Sequence, residues 1–180
     1  PPPMPRLSTS KPALTVPPSN ASVTTLPNGL EVLVREDAAH PLVSVQVWIK
    51  AGSLQEEKHT GAGIAHCVEH MLFKGTEKRE AAQISQGIQA LGGYVNAYTT
   101  FNRTVYWIDG LAEHTEGYLD ILADMVRHSK LDGDELTREM DVIRREMAMG
   151  HDDPGDVTQH LLMGTVFRQH PLRHPIIGHR

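Results

Sequence analysis

The sequence predicts an α+β fold, with a mixed and mostly antiparallel sheet covered by helices. Three observations carry that prediction. Asn28-Gly29 stands between two β-prone runs, Val23 to Leu26 and Leu30 to Val34; both turn residues tolerate positive φ, which makes the pair a strong hairpin signal. Val43, Val45, Val47 and Ile49 alternate with Ser44, Gln46, Trp48 and Lys50, the period of a strand with one apolar face. Further on, helical stripes and short strand-like runs follow one another in hairpins rather than strict βαβ alternation, which favours antiparallel pairing.

The elements follow in chain order. Residues 1–20 carry Pro1, Pro2, Pro3, Pro5, Pro12, Pro17 and Pro18 among Ser and Thr, the composition of an extended, partly disordered arm in front of a domain over 21–180. Ala51-Gly52-Ser53 ends the third strand, and a polar loop through Thr60 leads into a helix within Gly61–Phe73. A second helix is expected from Lys78 or Arg79 to Leu91, with Ala82, Ile84, Ile88 and Leu91 on one side and Gly92-Gly93 as its stop. Tyr94 to Thr99 and Thr104 to Asp109 read as two strands joined by a short turn. Glu113 to His128 reads as a helix with Leu119, Leu122, Ala123 and Val126 buried. Asp134 to Met149 and Asp153 to about Phe167 complete the helices; Leu136, Met140, Ile143 and Met147 form an apolar stripe on the first, and Val157, Leu161, Leu162 and Val166 are the apolar positions of the second.

Bulk properties exclude several function classes. A chain of 180 residues with 39% hydrophobic and 22% charged residues can build one well-buried domain. The net charge of −5 and the lack of a Lys/Arg block argue against nucleic-acid binding. Cys67 is the single cysteine, so no internal disulfide forms. No apolar run approaches the roughly 18 residues of a membrane span. The chain opens at Pro1 without an initiator Met and stops just after Ile176-Ile177; the expectation is a piece of a longer protein, incomplete at its C-terminal end.

The most informative stretch is His66-Cys67-Val68-Glu69-His70. On a helix, positions i and i+4 share a face, so both imidazoles can reach one metal ion, with Glu69 one turn from His66. The pattern is the H-x-x-E-H inversion of the H-E-x-x-H zinc helix. With 11 histidines in the chain, the motif alone does not exclude a plain polar helix face. Glu139 and Glu146 lie seven apart, within about 20° of each other along the edge of the Leu136–Met147 stripe. On the helix alone two readings stand: acids paired or metal-bound, or border residues whose heads reach solvent, with the second favoured.

Taken together, the chain resembles the insulinase/pitrilysin family of zinc metallopeptidases, the inverted zincins. The resemblance rests on Leu26-Pro-Asn-Gly-Leu30, Ala51-Gly-Ser53, Gly63 through Thr76, Leu91 through Thr99, Arg138 through Glu146 and Asp152-Asp-Pro154. It covers roughly residues 22–178 and implies a half-domain of that fold. Cys67 stands where a larger apolar residue is more usual, and the loop from Ala51 to Gly63 runs about one residue long.

The resemblance implies one zinc ion per chain, held by His66, His70 and Glu146, with Glu69 as general base and Glu139 as the acid that orients a ligand histidine. It implies a peptide substrate added to the strand Tyr94–Thr99, with Asn96, Ala97 and Tyr98 as its contacts. It further implies a homologous second half, or a partner subunit, that supplies an Arg/Tyr pair; a homodimer is compatible with the sequence. The implied activity is that of a zinc-dependent endopeptidase acting on peptides or unfolded segments. The alternative is a non-catalytic assembly subunit of the same fold. A bare metal-binding module built on His170, His174 and His179 is the weakest reading. The sequence leaves the compartment open and inclines to a bacterial protein, periplasmic or cytoplasmic.

Overall fold

The computed structural model describes residues 20–179, in two units, 20–40 and 41–179. The proline-rich arm lies outside the described residues apart from Asn20. In the first unit, β1 (Ala21–Thr25) and β2 (Glu31–Arg35) pair antiparallel, with Ala21 opposite Arg35 and Thr25 opposite Glu31. Gly29 takes φ 85° in the turn, and the amides of Leu26 and Gly29 donate to the carbonyls of Leu30 and Leu26. The Asn-Gly signal therefore located the turn, and each strand sits within a few residues of its expected place.

The second unit is built on three antiparallel strands, β3 (Leu42–Ile49), β4 (Tyr94–Thr99) and β5 (Thr104–Leu111), in the order β3-β5-β4. Val45 faces Ile108 across β3 and β5, and Thr99 faces Thr104 at the closed end of the β4–β5 hairpin. The helices are α1 (Ile64–Met71), α2 (Ala81–Ala90), α3 (Thr115–His128), α4 (Gly133–Asp152) and α5 (Pro154–Val166). Helices α1, α2 and α3 pack on the sheet. Val45, Tyr106 and Ile108 from the sheet meet Leu72, Ile84, Ile88, Tyr118, Ile121, Leu122 and Met125 in one core. Burial of this apolar face is the main force holding helices to sheet. Gly110 is required where Tyr118 crosses β5: a Cβ there would lie 2.3 Å from the Tyr118 hydroxyl oxygen.

Two expected stripes are corrected. On α3, Leu119 is 50% exposed and Ala123 is exposed, while Tyr118, Ile121, Leu122 and Met125 are buried. The helix is rotated so that its largest side chain, Tyr118, enters the core and donates to the Leu91 carbonyl. On α4, only Ile143 of the expected stripe is buried; Met140 and Met147 are half-buried and Leu136 is exposed. The face of α4 turned toward α1 carries the carboxylate of Glu139 as well as apolar groups, which displaces the stripe. On α5, Leu161, Leu162 and Val166 are all exposed.

A buried acid fixes α3 to the segment that follows α1. Asp124 is 3% exposed and accepts from the Thr76 hydroxyl at 2.6 Å and from Arg79 Nη1 at 2.5 Å, with His128 Nδ1 at 3.2 Å. Burial works to raise the Asp124 carboxyl, but the hydrogen bonds from Thr76 and Arg79 outweigh it and hold it below its ordinary value. Its contribution to stability is thus present above the unfolded value of about 4 and fades as pH falls through the lower folded value. Asp124→Asn is expected to cost about 3 kcal/mol in urea unfolding at neutral pH and to flatten the acid limb of the stability profile. Unfolding midpoints equal to wild type at neutral pH would contradict this account.

Candidate metal centre

Helix α1 begins without a capping side chain of its own, because its N-cap is Gly63, which takes φ 74°. Glu56, from the preceding loop, supplies the acceptor: its carboxylate receives the amides of Gly63 (3.3 Å) and Ala65 (3.0 Å), a negative charge where the helix dipole favours one. A Cβ on Gly63 would lie 2.2 Å from the Ile177 carbonyl oxygen, so the chain around 177 packs directly on this turn. At the other end Met71 and Leu72 are buried. The helix is therefore anchored at both ends.

His66 and His70 lie on one face of α1, with ring centroids 4.6 Å apart. Helix α4 crosses this face and brings two carboxylates to it. Glu139 is buried, its side chain 6% exposed, with Oε1 2.8 Å from His70 Nδ1 and Oε2 2.5 Å from Lys74 Nζ. Glu146, two turns on, is 42% exposed and places Oε1 3.7 Å from His66 Nε2 and Oε2 3.5 Å from His70 Nε2. The two acids thus divide the readings left open by the helix: one is buried and paired, the other reaches toward solvent beside both histidines.

The donor set fits a cation. Glu139 at Nδ1 of His70 favours the proton there, which leaves the Nε2 lone pair pointing toward the Glu146 carboxylate. Two acceptors at 3.5 Å repel unless a positive centre stands between them. Burial lowers the His66 pKa, outweighing the raising effect of Glu146, and so keeps the imidazole in the neutral form that binds metals. Ligand atoms of His66, His70 and Glu146 lie within 4.8 Å of one another, and among the described residues this is the only such group of three or more His, Cys, Asp or Glu. Three N/O ligands with an open fourth position are the pattern of a catalytic zinc site. Burial of Glu139 alone would raise its carboxyl, but hydrogen bonds from Lys74 and His70 hold it below the usual carboxylate range.

Glu69 is 9% exposed. Its Oε2 accepts from the Thr99 hydroxyl at 2.5 Å, and it stands near enough to His66 to raise that pKa. Asn96, Ala97 and Tyr98 lie on β4, which pairs on one side only among the described strands. Thr100 N donates to Arg103 O at the turn, and antiparallel alternation then turns the Ala97 N–H to the open side. There the Asn96 carboxamide oxygen accepts it at 2.8 Å. Strand alternation puts the side chains of Asn96 and Tyr98 on the sheet face opposite Thr99, where Tyr98 packs against Trp107 and Arg103. The structure thus gathers His66, Glu69, His70, Glu139 and Glu146, and leaves these two side chains apart. His174 Nδ1 lies 2.8 Å from His179 Nε2, while His170 accepts the Leu172 amide; neither arrangement joins the cluster.

Sequence reasoning overlooked Glu56, Lys74 and Thr99. Lys74 follows His70 by four residues, but α1 ends at Met71, so the spacing does not put the two on one helix face. Glu56 and Thr99 act across 9 and 30 residues, a separation at which periodicity is silent.

The family model described as insulinase (peptidase family M16) matches residues 31–180. An uncharacterized zinc protease of Mycobacterium tuberculosis is 38% identical over 175 residues, which are 97% of this chain and 39% of that protein. A probable mitochondrial-processing peptidase subunit beta of Arabidopsis thaliana is 40% identical over 156 residues, 87% of this chain and 29% of that protein. The chain therefore spans about two fifths or less of the length of these relatives. The crystal structure of a protease from Helicobacter pylori superposes with a TM-score of 0.84 at 28% identity, covering 89% of this chain and 39% of that one. An inactive peptidase M16 domain from Pseudomonas fluorescens shares the fold, with a TM-score of 0.79 at 23% identity over 88% of this chain and 39% of that one.

Removing the charge behind His70 tests the geometry. Glu139→Gln is expected to weaken zinc binding about 10- to 100-fold in competition with a chelator. Unchanged affinity in a folded variant would mean that Glu139 serves the helix packing alone.

Proposed function

The chain belongs to the insulinase family of peptidases, peptidase family M16, and on that premise we propose that residues 21–180 are the catalytic N-terminal part of a zinc-dependent endopeptidase that hydrolyses peptides or unfolded polypeptide segments. One observation supports this reading above the others: His66, His70 and Glu146 converge within 4.8 Å, with the carboxylate of Glu69 beside them. His66 and His70 through Nε2, and Glu146 through its carboxylate, would hold one zinc ion. Zinc held there would supply a water of lowered pKa and polarise the scissile carbonyl.

The chain's own residues divide the remaining work. Glu69 accepts the proton of the attacking water and passes it to the leaving amine. Glu139 keeps the His70 proton on Nδ1, and Lys74 balances the charge of Glu139. The open side of β4 at Asn96, Ala97 and Tyr98 pairs with an extended substrate through main-chain hydrogen bonds, which select conformation rather than sequence. The carboxamide of Asn96 protects the Ala97 amide until a substrate strand replaces it. A homologous second half, or a partner subunit of the same fold, covers the substrate and adds an Arg/Tyr pair.

The zinc-protease names of the relatives and the complete set of four motif residues support an enzyme over an assembly subunit. Cleavage of an unfolded peptide by the zinc-loaded protein, assembled with its second half, is the deciding assay. Glu69→Gln is expected to lower kcat by about 100-fold or more while zinc stays bound. No cleavage by the zinc-loaded wild type would favour the assembly subunit.

A further inference from the structure

Glu69 needs a fixed orientation to act as a base, and none of its neighbours on α1 provides one. Among the described residues its carboxylate takes part in a single hydrogen bond, from the Thr99 hydroxyl to Oε2 at 2.5 Å. Thr99 ends β4 and faces Thr104 across the hairpin, with the two hydroxyl oxygens 3.3 Å apart. Thr104 is 5% exposed, and its hydroxyl donates to the Ala51 carbonyl at 2.9 Å. Each hydroxyl has one proton. That of Thr104 is committed to Ala51, so Thr104 offers Thr99 only an acceptor. The proton of Thr99 then has two acceptors, and the charged carboxylate at 2.5 Å outcompetes the neutral oxygen at 3.3 Å.

We propose that Thr99 is a positioning residue for Glu69: its hydroxyl holds Oε2 and leaves Oε1 free to take the proton of the attacking water. The inference rests on the function proposed above. The holding point is itself rigid. Thr100 N donates to Arg103 O at 2.8 Å, and Ser53 N and Leu54 N donate to the carbonyls of Thr100 and Phe101. Gly52 lets these chains approach, since a Cβ there would fall 2.3 Å from the Thr100 carbonyl oxygen. Thr99 belongs to the same strand whose open side would pair with substrate. The base and the bound peptide are thereby referred to one piece of backbone, which fixes their separation.

Two substitutions in the assembled, zinc-loaded peptidase test this. Thr99→Val keeps shape and removes the donor; kcat is expected to fall about 10- to 100-fold with KM and zinc content near wild type. Thr99→Ser keeps the donor and is expected to retain most of kcat. A Val variant with wild-type kcat, or a Ser variant as slow as Val, would overturn the proposal. Crystal structures of wild type and Thr99→Val give a readout that needs no activity: the Glu69 carboxylate is expected to leave its wild-type position. If wild type cleaves nothing, the functional reading fails, while the Glu69 position still decides the role of Thr99; an unmoved carboxylate overturns it.

Discussion

A buried carboxylate holds the two halves of the site in register. Glu139 would destabilise the contact between α1 and α4 if it stood alone, because a charge removed from water needs partners. His70 on α1 and Lys74, in the turn just after that helix, are those partners. Once Glu139 is seated between them, the rotation of α4 is set. Glu146, two turns further along the same edge, must then face His66 and His70. The i, i+4 spacing on one helix and the seven-residue spacing on the other become a single cluster through that contact.

The same contact sets the chemical state of the clustered side chains. Glu139 directs the His70 proton to Nδ1, and burial keeps His66 neutral, so the bare nitrogens and the Glu146 carboxylate converge as acceptors. Such a cluster suits a divalent cation and is unfavourable without one. If zinc binds there as proposed, its binding and the docking of α4 would be linked, as metal affinity and folding are in sites whose ligands come from distant segments. Glu69 lies outside the group formed by His66, His70 and Glu146 and accepts the Thr99 hydroxyl from the sheet.

Local patterns in the sequence were enough for much of this. Periodicity placed His66, Glu69 and His70 on one helix, and the Asn28-Gly29 turn and the Val43–Ile49 alternation placed two strand elements where they occur. The Glu139–Glu146 edge was visible too, but its meaning was not: on a helical wheel the two acids are equivalent, whereas in the fold one is buried and the other half in solvent. That difference arises from α1, 69 residues from Glu139 at His70. The stripes of α3 and α4 were read a step away from their buried faces for a similar reason. Tyr118 and Glu139 carry polar groups that an apolar stripe passes over, yet both are buried, with the Tyr118 hydroxyl donating to the Leu91 carbonyl. Glu56 and Thr99 serve the site through contacts that only the folded chain creates.

The central claim is that α4 completes a metal site begun on α1. Elemental analysis of the purified protein and of its Glu146→Gln variant tests it most directly. The account predicts about one zinc per wild-type chain and a marked loss in the variant, with both proteins folded by circular dichroism. A folded wild-type protein without zinc, or a variant that keeps its full complement, would contradict it.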